Sequence, residues 1–214
     1  AGVFQSDTDF DTGPGVFILT SHGNNDAFLT KHDDNGNWIW SVSFGSTAID
    51  AAYSLCTDSD GNVYVAGCVR GTTDFDPGPG VSVVTTSTPC AFIVKFSPAG
   101  TFVWVIAING NSFDDANSIT IDQYNNLFVT GRFESTVDFN PGPGVNNLVS
   151  NGIQDVYIAK YDTSGSFISA WKVGGSQSEV PYGITLDSDG NIYVTGSFAG
   201  TADFNPGTGT YYLN

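Results

Sequence analysis

The sequence predicts an all-β fold: a β-propeller-like array of four-stranded antiparallel blades with a repeat of about 65 residues. Three observations predict it. The motif Asp-Phe-(Asp/Asn)-x-Gly-x-Gly begins at Asp9, Asp74, Asp138 and Asp203, at intervals of 65, 64 and 65 residues, and a fixed period of this length marks a repeat architecture. Between the motifs, short runs of β-branched and aromatic residues alternate with turn residues. No stretch sustains a 3.6-residue apolar period, so essentially no helix is expected.

Residues 51–115 make one complete unit. Ala52–Thr57 is the first strand, and Asp58-Ser59-Asp60-Gly61 the turn that ends it, with glycine taking the positive φ. Asn62–Gly67 is the second strand. The Asp-Phe-Asp-Pro-Gly-Pro-Gly loop follows, with Val81–Thr85 as a small extra strand. Ala91–Phe96 is the third strand, Ser97-Pro98-Ala99-Gly100 a turn, and Thr101–Ile106 the fourth strand. Residues 126–131 and 191–196 repeat the second strand, 27–31 and 156–160 the third, and 37–40 and 166–169 the fourth. The chain 1–214 therefore reads as a single array: a partial blade over 1–50, blades over 51–115 and 116–180, and a partial blade over 181–214. Each unit hides its faces only against neighbours, which is why it recurs. The opening unit lacks a first strand and the closing one lacks its third and fourth. These complementary ends predict head-to-tail self-association, as rings or filaments. The chain opens in the middle of a repeat, so Ala1 is not expected to be its natural start.

Ser54-Leu55-x-x-Asp58-x-x-Gly61-Asn62-Val63-Tyr64-Val65-x-Gly67, followed by Phe92-Ile93-x-Lys95 and Gly100-x-x-x-Trp104, resembles the bacterial SBBP β-propeller repeat family and, more distantly, NHL-type blades. The resemblance covers nearly the whole chain. It implies large secreted or cell-surface bacterial proteins, mostly without enzymatic activity. The Asp-Phe-Asp-Pro-Gly-Pro-Gly insertion lies outside the simplest blade of that family.

Twenty-two acidic against six basic residues give a net charge of −16. Nucleic acid and anionic membranes would repel such a chain, and no apolar run reaches the ~20 residues of a membrane helix. Neither binding to nucleic acid nor membrane insertion is expected. An Asp/Asn/Gly/Ser/Thr-rich, lysine-poor composition suits an extracellular or cell-surface setting.

Four groups of residues are candidates for chemistry. The first comprises Asp9, Asp11, Asp74, Asp76, Asp138, Asn140, Asp203 and Asn205 of the insertion loops. They offer paired oxygens on a sharply turning backbone, part of what calcium requires, with Asp26 and Asp155 as further donors; the alternative is a rigid turn capped by side-chain hydrogen bonds. The second group is Lys31, Lys95 and Lys160, at one position of the third strand in three units. They are expected in structural ion pairs, with Asp9, Asp74, Asp138, Asp50 and Asp115 as acceptors. Third, a register placing Tyr64 opposite Val94 puts Cys68 opposite Cys90 and predicts a disulfide, while the next unit has Arg132 and Asp155 there and predicts a salt bridge. Cys56 aligns with Ile121 and Leu186 and is expected to fill a core. Fourth, Asp58–Asn62 and Asp187–Asn191 resemble metal loops, but their place between adjacent strands marks them as hairpin turns.

His22 and His32 are the only histidines, and no catalytic triad, zinc spacing or phosphate loop is visible. The expected function is therefore a non-enzymatic extracellular structural or adhesive repeat protein, a scaffold or filament subunit stiffened by calcium. The alternative is a glycan- or peptide-binding module of a larger cell-surface protein. Core filling is expected for Trp38, Trp40, Trp104, Phe102 and Phe167, against a carbohydrate platform.

Overall fold

A computed structural model describes residues 1–214. The chain contains nineteen β-strands and no helix. The first repeat holds β1 (Gly2–Phe4), β2 (Asp7–Asp9), β3 (Ile18–Thr20), β4 (Asp26–His32) and β5 (Trp38–Phe44). The second holds β6 (Ala51–Thr57), β7 (Val63–Asp74), β8 (Val83–Phe96) and β9 (Phe102–Ile108). The third holds β10 (Ser118–Ile121), β11 (Asn126–Phe133), β12 (Thr136–Asp138), β13 (Asn147–Val149), β14 (Asp155–Asp162) and β15 (Phe167–Gly175). The last holds β16 (Val180–Leu186), β17 (Ile192–Ser197), β18 (Ala202–Asp203) and β19 (Tyr212–Leu213).

Every strand pair is antiparallel, and β6-β7-β8-β9 form a four-stranded sheet in chain order. The strands β10-β11-β14-β15 repeat that order but continue into β18 and β19, making six strands. Gly174 and Gly175 of β15 pair with Asp203 and Ala202, so the last insertion docks on the sheet before it. The insertions are hairpins. In the second repeat β7 and β8 simply run on through them, whereas in the first and third the hairpins stand apart as β2-β3 and β12-β13.

The cores lie between sheets. Val63, Val65 and Phe92 face Ala27, Leu29 and Phe44 of the preceding repeat; Tyr64, Ala66 and Ile93 face Ile119, Leu127 and Val129 of the following one. Strands β7 and β8 are thus buried on both sides, and a fully buried aliphatic or Phe side chain contributes about 1.5–3 kcal/mol of transfer free energy. Cys56 packs against the second of these cores, as its apolar alignment implies.

The register differs by one residue from the expected one. Tyr64 lies opposite Lys95, so Cys68 faces Ala91 and Cys90 faces Val69. A one-residue slip turns side chains to the other face of a sheet, which separates the two thiols. Cys68 and Cys90 are buried free cysteines, and the predicted disulfide is absent. The same slip in the third repeat places Arg132 opposite Val156, and Asp155 opposite Phe133. The predicted Arg132–Asp155 bridge is therefore replaced by Arg132 Nε to Asp115 Oδ2 at 2.9 Å and Lys172 Nζ to Asp155 Oδ2 at 3.2 Å.

Candidate functional site

The hairpin turns set the strand ends that meet at each seam. Asp58 Oδ1 accepts the N–H of Asp60 and of Asn62, and its Oδ2 accepts Asn62 Nδ2 and the Tyr64 hydroxyl. Asp33, Asp122 and Asp187 repeat the pattern with Asn37, Asn126 and Asn191. The hydrogen bonds from Asn37 and Asn191 hold Asp33 and Asp187 below the usual carboxylate range. These are closed hydrogen-bonded turns, as expected from their place between strands.

The four insertion loops share one geometry. Asp74 Oδ1 accepts the N–H of Asp76 at 3.1 Å and of Ser82 at 2.8 Å, and Asp76 Oδ1 accepts the N–H of Gly78 at 2.8 Å. Asp9 with Asp11, Asp138 with Asn140 and Asp203 with Asn205 make the equivalent three bonds. Asn replaces Asp without loss because only one oxygen is used. The intervening phenylalanine anchors the loop: Phe75 and Phe139 are fully buried. Calcium takes 6–8 oxygens. No group of three or more His, Cys, Asp or Glu side chains suited to a metal ion is present, and one oxygen of each loop side chain is already spent on N–H groups.

The lysines mark the seams between repeats. Lys31 Nζ donates to Pro98 O at 3.1 Å, and Trp40 Nε1, directly across the strand pair, donates to the same oxygen at 3.1 Å. One repeat later Lys95 Nζ and Trp104 Nε1 both donate to Thr163 O at 3.2 Å. Each carbonyl belongs to the turn before the last strand of the next repeat. The predicted carboxylate acceptors are thus incorrect for Lys31 and Lys95: a main-chain oxygen one repeat away is within reach, and no seam carboxylate is. Of these three lysines only Lys160 forms an ion pair, with Asp122 Oδ2 at 3.7 Å, and the residue across from it is Ser169 rather than tryptophan.

A second set of seam contacts was missed as a set from sequence. Asp50 and Asp114 are buried; Asp50 accepts the N–H of Ser46 and Arg70, and Asp114 that of Gly110 and Glu134. Glu179 takes the same position and accepts the Gly175 N–H at 3.0 Å. Burial raises the pKa of Asp50 and Glu179 and lifts Asp114 to about 7. Asp115 is raised by the same cause, against the opposing pull of Arg132. Buried Asp26 and Asp155 begin the third strands, and Cys90 holds that position in the second repeat. A Cβ at Gly45 or Gly174 would lie 2.5 or 2.4 Å from the carboxyl carbon of Asp26 or Asp155. Where Cys90 replaces the acid, Asn109 replaces the glycine. The signal was available in the period of the acids, though not in their burial.

The His22 imidazole contacts Asp26 at 3.0 Å but is largely exposed, and no nucleophile joins it. What the arrangement offers chemically is a series of main-chain and side-chain contacts that join one repeat to the next.

Comparison with known proteins agrees with this repeat-to-repeat construction. Residues 173–197, from the end of β15 through β17, match the SBBP family model, described as a beta-propeller repeat. An uncharacterized WD repeat-containing protein, L264, of Acanthamoeba polyphaga mimivirus is 29% identical over 87% of this chain. The regulatory protein FlaEY of Caulobacter vibrioides is 29% identical over 67% of it. The chain spans 15% of the length of each of these relatives. Residues 173–197 thus carry a β-propeller repeat of the SBBP type within an all-β chain.

Proposed function

We propose that this chain is a non-catalytic structural module of an extracellular or cell-surface protein, and that its work is to join repeat units end to end into a scaffold or filament. One observation carries the reading. The contact in which a lysine and a tryptophan share one carbonyl of the following repeat is made twice in the chain, at Pro98 and at Thr163. A contact used repeatedly to seat one unit on the next suits open-ended assembly better than a single reacting centre. Light scattering coupled to gel filtration, followed by electron microscopy of the concentrated protein, tests it. Concentration-dependent rings or fibres are expected, and a monomer up to millimolar concentration would overturn the reading.

Within this function the insertion loops act as hydrogen-bonded turns that need no calcium. The bonding of Asp74 Oδ1 to two N–H groups supports this. Asp74→Ala strips both of their acceptor and is expected to destabilise by about 1–3 kcal/mol, whereas Asp74→Asn keeps the acceptor. Equal melting temperatures in EDTA and in millimolar calcium are expected. A rise with calcium would restore the metal reading.

Glycan or peptide binding is the second reading. A groove of about 860 Å³ between the first two repeats, lined by Phe17, Phe102, Asp74 and Asp76, favours it. Aromatic faces beside carboxylates suit sugars. Retention on a glycan array, lost in Phe17→Ala, would support this reading.

A further inference from the structure

We propose that a pocket where the first two repeats meet binds a carboxylate carried on an apolar or aromatic body, with Arg70 as its counter-ion. The pocket has a volume of about 410 Å³, within the range of roughly 300–1,000 Å³ typical of small-ligand sites. Its walls all lie within residues 24–113. Ile49, Tyr53, Pro89 and Phe113 give it apolar and aromatic surface, Asn24 and Arg70 supply polar groups, and no acidic side chain lines it. It shares no residue with the groove beside Asp74 and Asp76.

The next seam shows what fills the same place when the chain fills it itself. Ser112, Asp115, Arg132 and Glu134 stand 64 residues after Ala48, Ala51, Cys68 and Arg70. Gln154 corresponds to Pro89, since the carbonyls of both accept the N–H of the seam acid, Glu179 in one case and Asp114 in the other. These five polar residues form a closed network. Arg132 Nε donates to Asp115 Oδ2 at 2.9 Å and its Nη1 to Gln154 Oε1 at 3.3 Å, while its guanidinium lies 4.5 Å from the centre of the Phe113 ring. Glu134 accepts from the Ser112 hydroxyl, and from Gln154 Nε2 at 2.8 Å. At the first seam alanine, alanine, cysteine and proline replace Ser112, Asp115, Arg132 and Gln154. The network is gone, and a cavity with one arginine stands in its place.

That arginine has no partner. The Arg70 main chain is fixed, its N–H by Asp50 Oδ1 at 2.9 Å and its carbonyl by the Ser46 hydroxyl. The other five basic side chains each bond to an acceptor within the chain, whereas the Arg70 guanidinium joins none of the ion pairs. A guanidinium binds a carboxylate through two parallel N–H bonds and stacks on aromatic faces. Arg132 has both kinds of partner, in Asp115 and Phe113. Around Arg70 the chain supplies the aromatic and apolar surface and lacks the carboxylate, which defines the group a ligand must bring.

NMR titration of the 15N-labelled full chain tests the proposal, with N-acetylphenylalanine and its uncharged amide as matched probes. The acid is expected to shift the amide signals of Ile49, Tyr53 and Arg70 with a Kd of about 1 mM, and the amide to bind roughly tenfold more weakly. Arg70→Gln should abolish that difference. Ile49→Asp, at a position 61% exposed and so without cost to the core, should weaken the acid more than the amide. A third pair of probes separates the sources of the carboxylate. Tighter binding of acetyl-Gly-Gly-Phe than of 3-phenylpropionate would assign the site to a polypeptide C-terminus, and the reverse order to a free small acid. No shifts at about 20 mM acid, equal affinity for acid and amide, or an acid preference that survives Arg70→Gln would overturn the proposal.

Discussion

At the scale of single residues, the buried carboxyls make stability depend on pH in an unusual direction. Burial lifts the Asp114 carboxyl to about 7 in the folded chain, well above its ordinary 3.8. Between these values the folded chain binds more protons than the unfolded one, so stability present at low pH is lost as pH rises through about 7. Burial moves Asp50, Asp115 and Glu179 the same way. The turn acids Asp33 and Asp187 are shifted down and lose their contribution only below their ordinary range. The melting temperature is therefore expected to peak near about pH 4–5 and to fall toward pH 8. Asp114→Asn should flatten this fall in a calorimetric pH series, and an unchanged slope would show that the dependence arises elsewhere. The thiols provide a second check. Cys68 and Cys90 lie on opposite faces of the sheet, so unfolded protein prepared without reductant should titrate three free thiols.

At the scale of strands and seams, Thr163 O holds two donors from the preceding repeat, Lys95 Nζ and Trp104 Nε1. Trp104→Phe removes the neutral bond and is expected to cost about 1 kcal/mol; Lys95→Met removes the charged one and about 2 kcal/mol. The donors share one acceptor, so each partly covers for loss of the other, and denaturant melts of the double variant should show more than the sum. Strict additivity would mean that the two contacts are independent. The strands, turns and repeat of these elements were legible in the sequence because period-2 alternation and Asp/Asn/Gly turns are local signals. Register was not. In β7 the residues Val63–Val69 are all buried, as are Cys90–Val94 in β8. A strand buried on both faces satisfies its apolar pattern equally well in either of two registers. The Cys68–Cys90 and Arg132–Asp155 pairings fell with that one-residue ambiguity. The lysine acceptors were missed for a different reason: Pro98 O and Thr163 O are main-chain atoms one repeat away, which no side-chain pattern reports.

At the scale of the whole molecule, charge opposes the proposed end-to-end assembly. Each copy carries −16, so two copies repel at long range while the main-chain and apolar contacts of the proposed assembly act only at short range. The Debye length is ≈ 10 Å at 0.1 M and ≈ 3 Å at 1 M ionic strength, so salt removes the repulsion before it weakens a partly buried contact. Assembly measured by light scattering is therefore expected to begin at lower protein concentration as sodium chloride rises from about 0.02 to 0.5 M. Lys31→Gln adds to the net negative charge and is expected to raise the threshold most at low salt. If salt instead dissolves the assemblies, exposed ion pairs rather than main-chain and apolar contacts hold the copies together, and the acidic surface is part of the contact instead of its opponent.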